Sequence, residues 1–405
     1  MMDIIEKKQG FKETKLGWIP EDWKVERLEN YIKIRSGNSP TSFNESREGI
    51  HFIKVDDLNN CFKYQSKGKY LVDKTNDYIP SNSVIFPKRG AAIMNNKVRI
   101  SNKKLFMDSN LMAITPKNSL IEVEYLYYYI LRTKLFKIAD TSTIPQINNK
   151  HINPLKLILP SLSEQKAIAA CLSTWDTAIS KLDVLITAKQ LLKKALMQQL
   201  LSGKKRLSEF DEEWTTNRFD YYLDYSPRPV VKPDTAFTKL GIRSHCKGTF
   251  QNENFHPSKI AIDTLYLVKP NDLIVNITFA WEGAVAIVKR KDEGALVSHR
   301  FPTYEFIDGI SNSAFFKQFI QSKWFRYQLE LISPGGAGRN RVLSKKELNK
   351  LKIRLPNYKE QTAIAQVLNT ADQEINLLTN QRNQLQLQKK GLMQQLLTGK
   401  KRLKI

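Results

Sequence analysis

Apolar residues recur in alternating steps of four and three along two stretches of this chain. One stretch carries Ile168, Leu172, Trp175, Ile179, Leu182 and Ile186, and the other Ile364, Leu368, Ala371, Ile375, Leu378 and Leu385, with Arg382 at one position of the second stripe. This spacing lays one narrow apolar stripe along a helix, the seam pattern of a coiled coil. Each stretch also has a start and a stop. Ser161 with Glu164, and Asn357 with Glu360, have the capping-box spacing, in which a side chain caps the first turn and a carboxylate returns to the cap's own N–H. Gly203 and Gly399 can take the left-handed conformation past a helix end. Two helices of about 38 residues, ~57 Å long, are predicted. Their seam is interrupted by Lys189, Lys193, Arg382 and Lys389.

The two stretches are copies. Leu159 to Leu207 and Leu355 to Leu403 align without a gap at an offset of 196 positions, with roughly half the positions identical. The likeness is densest at the ends, EQ-x-AIA and LMQQLL-x-GKKRL. It also begins earlier, since Trp23-x3-Arg27-Leu28 recurs as Trp214-x3-Arg218-Phe219. The plan is therefore domain, helix, domain, helix: a first domain over 1–160, a helix over 161–205, a second domain over 206–356 and a second helix over 357–405.

Between the helices the periodicity changes to short β-type runs bounded by Gly, Pro and Asn. In the first domain these are Tyr31–Arg35, His51–Val55, Ser83–Phe86, Lys97–Ile100 and Leu111–Ile114, followed by a helix over Val123–Ile138. In the second they are Lys239–Arg243, Asp272–Asn276, Ala284–Val288 and Thr303–Phe306, followed by a helix over Ser313–Leu331. Pro80-Ser-Asn-Ser-Val and Pro270-Asn-Asp-Leu-Ile read as equivalent turns into a strand. The predicted class is α+β: two pseudo-twofold-related mixed α/β domains separated by two long helices that form an antiparallel coiled coil, so that one chain imitates a symmetric dimer.

Composition narrows the function. Against 40 acidic residues stand 64 Lys and Arg, a formal net charge of +24 in 405 residues, which favours a polyanionic partner, nucleic acid first. No apolar run reaches the ~18 residues of a membrane span, the start MMDIIEKKQG lacks the apolar core of a signal peptide, and Cys61, Cys171 and Cys246 are too few and too scattered for a disulfide framework or a metal cluster. A soluble cytoplasmic protein without a bound metal is expected. No phosphate-cradling Gly-x4-Gly-Lys-Ser/Thr loop is present, and the five histidines stand singly. No catalytic constellation emerges.

Side chains suited to DNA are plentiful. In the first domain Lys88, Arg89, Asn95, Asn96 and Lys97 flank Gly90, and Gln146, Asn148 and Asn149 add amides on a loop expected at the far end of that domain. Arg suits guanine and Asn suits adenine in the major groove. In the second domain Arg243, His245, Lys247, Asn276, Trp281, His299, Arg300, Arg339, Asn340 and Arg341 are of the same kind, with Gly335-Gly-Ala-Gly338 permitting close approach to phosphate. The alternative reading of each is a solvated surface residue. Lys204-Lys205-Arg206 and Lys400-Lys401-Arg402 have two readings, phosphate contact or complement to a helix dipole.

Taken together, the Trp-containing start of each domain, the helix opening LP-x3-EQ-x-AIA and closing LMQQLL-x-GKKRL, and the repetition of all three resemble the specificity subunit of a type I restriction-modification system across nearly the whole chain. The resemblance implies a non-catalytic subunit that binds double-stranded DNA, each domain reading one half of a bipartite asymmetric target while the helices set the spacer. It further implies two methyltransferase subunits and two restriction/motor subunits as partners, with S-adenosylmethionine, ATP and Mg bound on those partners and no cofactor on this chain. A different class of reading is a standalone DNA-binding regulator of pseudo-dimeric architecture; a third, a nuclease, rests only on scattered acidic residues. Neither half-site sequence nor the spacer length is legible.

Overall fold

A computed structural model describes residues 9–39, 41, 44–73, 77–117, 119–335 and 341–404. The chain forms two compact units, one of residues 1–184 with 380–405 and the other of residues 185–379. The division cuts both long helices, Leu162–Leu200 and Tyr358–Leu396. Each unit thus packs a domain against the first part of one long helix and the last part of the other.

In the first unit a five-stranded sheet runs in the order Ile32–Ser36, Leu111–Pro116, Val84–Pro87, Arg99–Ser101, Tyr64–Gln65, antiparallel except for its last pair. A four-stranded sheet runs Phe106–Met107, Ile50–Ile53, Tyr70–Val72, Glu45–Ser46. The predicted strands are present within one or two residues of their expected bounds. The helix after them is shorter than its periodicity suggested, Val123–Thr133, because Lys134 turns to φ +59° and a 3-10 turn follows at Leu135–Lys137.

The second unit has a four-stranded sheet, Leu223–Tyr225, Thr303–Phe306, Leu273–Val275, Val285–Ile287, and a five-stranded one, Pro229–Val231, Thr264–Leu267, Leu296–Val297, Phe237–Ile242, Thr249–Phe255. Several of these strands carried no clear alternation in the sequence. The expected single helix over Ser313–Leu331 is two, Ser313–Phe319 and Lys323–Leu331. Ser322 breaks it by capping the second helix through a bond from the Phe325 N–H to its Oγ, 3.2 Å. The break brings buried Phe319 and Phe325 ring to ring, with centroids 5.4 Å apart. The two proline turns correspond in backbone, although the asparagine stands two positions after Pro80 and directly after Pro270. Asn82 and Asn271 both hold positive φ, +62° and +69°, a conformation asparagine tolerates better than most residues.

Where each domain meets its long helices, the same joint is built twice. The chain enters and leaves the first domain through the antiparallel pair Lys24–Arg27 and Lys156–Leu159, and the second through Thr215–Arg218 and Lys352–Leu355. Trp23 donates its indole N–H to Glu164 at 3.1 Å, and Trp214 donates to Glu360 at 3.1 Å. Arg402 bonds Glu164 through Nε at 2.8 Å, and Arg206 bonds Glu360 through Nε at 2.9 Å. The side-chain amide of Gln165 receives the Glu122 N–H, and that of Gln361 receives the Asn312 N–H, each at 2.9 Å.

This joint revises two expectations. The helix starts are capped as predicted by Ser161 and Asn357, which accept from the N–H of Glu164 and Glu360 at 3.3 and 2.9 Å. The carboxylates, however, turn to the indole and guanidinium, because a charge-assisted pair is stronger than a bond to a neutral backbone N–H. The arginines of the two GKKRL ends therefore serve as clamps on the opposite helix start, which neither the dipole nor the phosphate reading anticipated. Gly203 and Gly399 both sit at φ +69°. A Cβ on Gly399 would lie 2.3 Å from Pro20 and 3.1 Å from Trp23, and one on Gly203 would lie 3.3 Å from Trp214. Glycine is needed at these ends for conformation and for space.

The apolar stripes serve two surfaces. Ile168 and Leu172 join Leu396 and Leu397 in the core of the first unit, and Ile364 and Leu368 join Leu200 and Leu201 in that of the second. Farther along, Ile179 is buried, whereas Trp175, Leu182, Ile375, Leu378 and Leu385 are partly covered. The charged interruptions of the stripe are paired across it. In the first unit Lys389 pairs with Asp176 and Arg382 with Asp183; in the second Lys193 pairs with Asp372 at 2.7 Å and Lys189 with Glu374 at 2.6 Å. Partner numbers rise on one helix as they fall on the other, so within each unit the two helix segments run antiparallel.

Candidate nucleic-acid interface

In the first unit the candidate side chains come from two loops that the sequence separates and the fold joins. Gly90 N–H donates to Pro145 O and Ile147 N–H to Lys88 O, both at 2.8 Å, and Arg89 bridges Gln146. The amides of Gln146 and Asn148 consequently lie beside Arg89, not at a far end of the domain. Gly90, at φ +79°, allows the tight turn into the 3-10 segment Ala91–Ile93. Arg89, Asn95 and Asn149 are exposed and have no side-chain partner among the described residues. Lys88 is partly covered; burial lowers its pKa from the ordinary lysine value, and the neighbouring Arg89 charge adds to this while Asp108 opposes it. A partly desolvated cation beside a free guanidinium is well suited to an anionic oxygen.

Three of the remaining candidates in this unit are engaged with the fold. Asn96, at φ +48°, donates to Leu131 O at 2.8 Å and accepts from Leu135 N–H at 2.9 Å, so its amide finishes the helix Val123–Thr133. Lys97 donates to the side chain of Asn59. Asn148 accepts from Gln146 Nε2 at 3.2 Å, and its backbone N–H is held by His151 Nδ1 at 3.0 Å. Sequence reading missed Met94 and Ile144, apolar yet 55% and 56% exposed on these same two loops. Burial alone distinguishes them, since in sequence they look like ordinary core residues.

In the second unit four separate loops converge. The N–H groups of His245 and Cys246 donate to Glu282 O and Gly283 O at 2.8 Å, Ile277 N–H to Arg300 O at 3.0 Å, and Leu343 N–H to Ile277 O at 2.8 Å. The Arg341 guanidinium lies 5.3 Å from the centre of the Trp281 ring. His245, Lys247 and His299 are exposed without a side-chain partner among the described residues, and Arg300 makes one contact, to Thr278 Oγ1 at 3.3 Å. Arg243 donates to Thr249 O at 2.9 Å and stacks over Phe250. Trp281 donates to Thr278 O at 3.2 Å, and Asn276 closes a turn by accepting from Thr278 N–H at 3.1 Å. Arg341 donates to Ser333 O and Glu330 O at 3.2 and 3.0 Å, closing the helix Lys323–Leu331. Arg339 and Asn340 lie outside the described residues. Sequence reading also missed Glu282, which accepts from Ser244 Oγ at 2.7 Å and ties two of the loops together.

Each unit therefore presents exposed side chains on hydrogen-bonded loops, Arg89 with the amides Asn95 and Asn149 in the first and Lys247, Arg300, His245 and His299 in the second, arrangements that can address phosphates and base edges. Among the described residues no group of three His, Cys, Asp or Glu could hold a metal ion, and no helix is long and apolar enough to cross a membrane.

Comparison with known proteins identifies the frame. Residues 20–190 and 247–387 match the family described as Type I restriction modification DNA specificity domain. The chain belongs to that family. Members of this specificity family resemble it along its length: the type I restriction enzyme MjaVIII specificity subunit of Methanocaldococcus jannaschii is 26% identical over 98% of this chain and 97% of its own. The solved S subunit of the M. genitalium type I system is 14% identical, covers 92% of this chain and 96% of its own, and has a TM-score of 0.55. A chain from a structure of complex assembly and conformational transition in the type I R-M system is 15% identical, with coverage of 94% and 99% and a TM-score of 0.58. At this identity the solved structures show a shared fold. The chain is a type I specificity subunit of mixed sheets and helices with two long helices, and its role is DNA sequence recognition.

Proposed function

We propose that this chain reads a bipartite, asymmetric duplex target, one half-site per domain, and that its paired helices set the spacer and dock two adenine methyltransferase subunits. The observation that carries the reading is a contrast. The joints of the two units share their Trp–Glu–Arg and Gln-to-backbone contacts, while the exposed loops carry different residues: Lys88, Arg89, Asn95 and Asn149 against His245, Lys247, His299 and Arg300. A constant frame with two different reading surfaces suits two different half-sites. In this proposal the chain itself is non-catalytic and cytoplasmic. Two restriction/motor subunits complete the assembly, and S-adenosylmethionine, ATP and Mg act on the partner chains, where a target base is flipped out for methylation.

The test is co-expression with the cognate methyltransferase subunit, followed by sequencing of methylated DNA. One split motif with unlike halves is expected. Methylation that ignores sequence would refute the reading. Tight, target-specific footprinting by the isolated chain, with no methylation on co-expression, would instead favour a standalone regulator.

A further inference from the structure

The second unit contains a groove of about 640 Å³ that the candidate duplex-reading loops leave unused. Its floor is aromatic: Trp214 and Phe319 are buried, and Trp324 stands 43% exposed with its ring centre 5.9 Å from that of Phe319. Its walls carry Lys194, Lys323, Arg326 and Lys352, none of which forms an ion pair or side-chain hydrogen bond among the described residues. Among the described residues no carboxylate lines it. The size falls within the roughly 300–1,000 Å³ of ligand sites.

Four unpaired cations around an apolar aromatic floor call for an occupant that is anionic along one side and flat and apolar on the other. A DNA duplex satisfies only the first requirement, since its bases are stacked away inside and it would offer this concave floor nothing but phosphates. An unpaired strand satisfies both, with phosphates for the lysines and a base face for Trp324. Cationic grooves with aromatic platforms are the usual means of holding single strands. The joint fixes the floor, because Trp214 is anchored by its N–H bond to Glu360, and Trp324 lies in the first turn of the helix Lys323–Leu331 capped by Ser322.

We infer that this groove is a second nucleic-acid site, selective for unpaired DNA and separate from the loops proposed to read the duplex. The inference does not depend on the half-site reading, so either can fail alone.

The experiment uses the full chain and fluorescein-labelled dT12, followed by anisotropy at 50 and 200 mM NaCl. High salt suppresses binding by scattered surface charge, which matters for a chain of net charge +24. At 200 mM the wild-type chain is expected to retain dT12 binding, Trp324→Ala to weaken it by about tenfold, as loss of one base-stacking platform does, and Lys323→Glu/Lys352→Glu to weaken it at least as much. The methylated motif obtained on co-expression should be unchanged in both variants, and matching circular dichroism melts establish that they fold. Unchanged dT12 affinity in the folded variants would overturn the inference. So would loss of dT12 binding in Arg89→Ala alone, or binding of a polyglutamate peptide with the same residue dependence in the absence of dT12 binding, which would assign the groove to an acidic polypeptide.

Discussion

Removing the Lys389 charge tests whether the interrupted seam is held by its ion pairs. Lys389 pairs with Asp176, whose side chain is 5% exposed while that of Lys389 is 12% exposed. Tyr128 OH donates to the other carboxylate oxygen at 2.5 Å, and burial with the Asp176 charge raises the Tyr128 pKa, keeping it a donor. Lys63, itself buried and paired with Glu124 at 2.7 Å, donates to Tyr128 OH at 3.2 Å. Lys389→Met would leave Asp176 buried with the tyrosine as its remaining partner. Breaking one side of a buried pair costs about 3–5 kcal/mol; with the tyrosine bond retained, the lower end, about 3 kcal/mol, is expected. For a unit of this size that lowers its transition by roughly 6–12 °C, read by circular dichroism melts of the full chain. The triple change Lys389→Met, Asp176→Leu, Tyr128→Phe removes the whole polar set and should recover most of the loss, since apolar replacement of a buried pair is often near neutral. A loss below about 1 kcal/mol in Lys389→Met, or no recovery in the triple variant, would refute the argument that burial makes this pair necessary.

Other perturbations separate reading from folding. Arg89→Ala should weaken only the half-site read by the first domain, by about 1–3 kcal/mol, measured as methylation across a library of half-site variants; equal loss on all sequences would mark a phosphate contact. Asn96→Ala should leave the motif unchanged and lower stability by about 1–2 kcal/mol in a melt, because both ends of its amide hold the helix Val123–Thr133. Four residues inserted after Ala188 should change or abolish the methylated motif while both domains keep their melting signal, and an unchanged motif would contradict the spacer role. Burial pushes the Cys246 thiol up to about 11. Below that pH it is protonated, so iodoacetamide labelling followed by mass spectrometry should be slow at pH 8 and accelerate only as pH approaches 11.

The long helices were legible because their information is local and repeated. A stripe of four and three, a cap and a terminal glycine are read from neighbouring residues, and two copies 196 positions apart confirm each other. The resemblance to the specificity family rests on the same segments, and the family match covers them. The sheets were legible where apolar runs were strong, as at Leu111–Pro116, and not where strands such as Thr249–Phe255 are polar and half exposed. Ser313–Leu331 misled because helical periodicity continues through Ser322, and only the capping bond shows that the chain restarts there.

The sequence by itself determined the repeated plan, the helix starts and stops, the mixed α/β class, the cationic character and the family. These depend on residue order and on charge, which need no partner distant in the chain. The tertiary structure alone decided which polar side chains remain available. Asn96 and Arg89 look equally suited to DNA in sequence, yet the Asn96 amide is bonded on both sides to a helix end and the Arg89 side chain has no partner among the described residues. It also decided that Arg402 answers Glu164, and Arg206 Glu360, across 238 and 154 positions. A hydrogen bond is made between neighbours in space, and its partners cannot be read until the chain has brought them together.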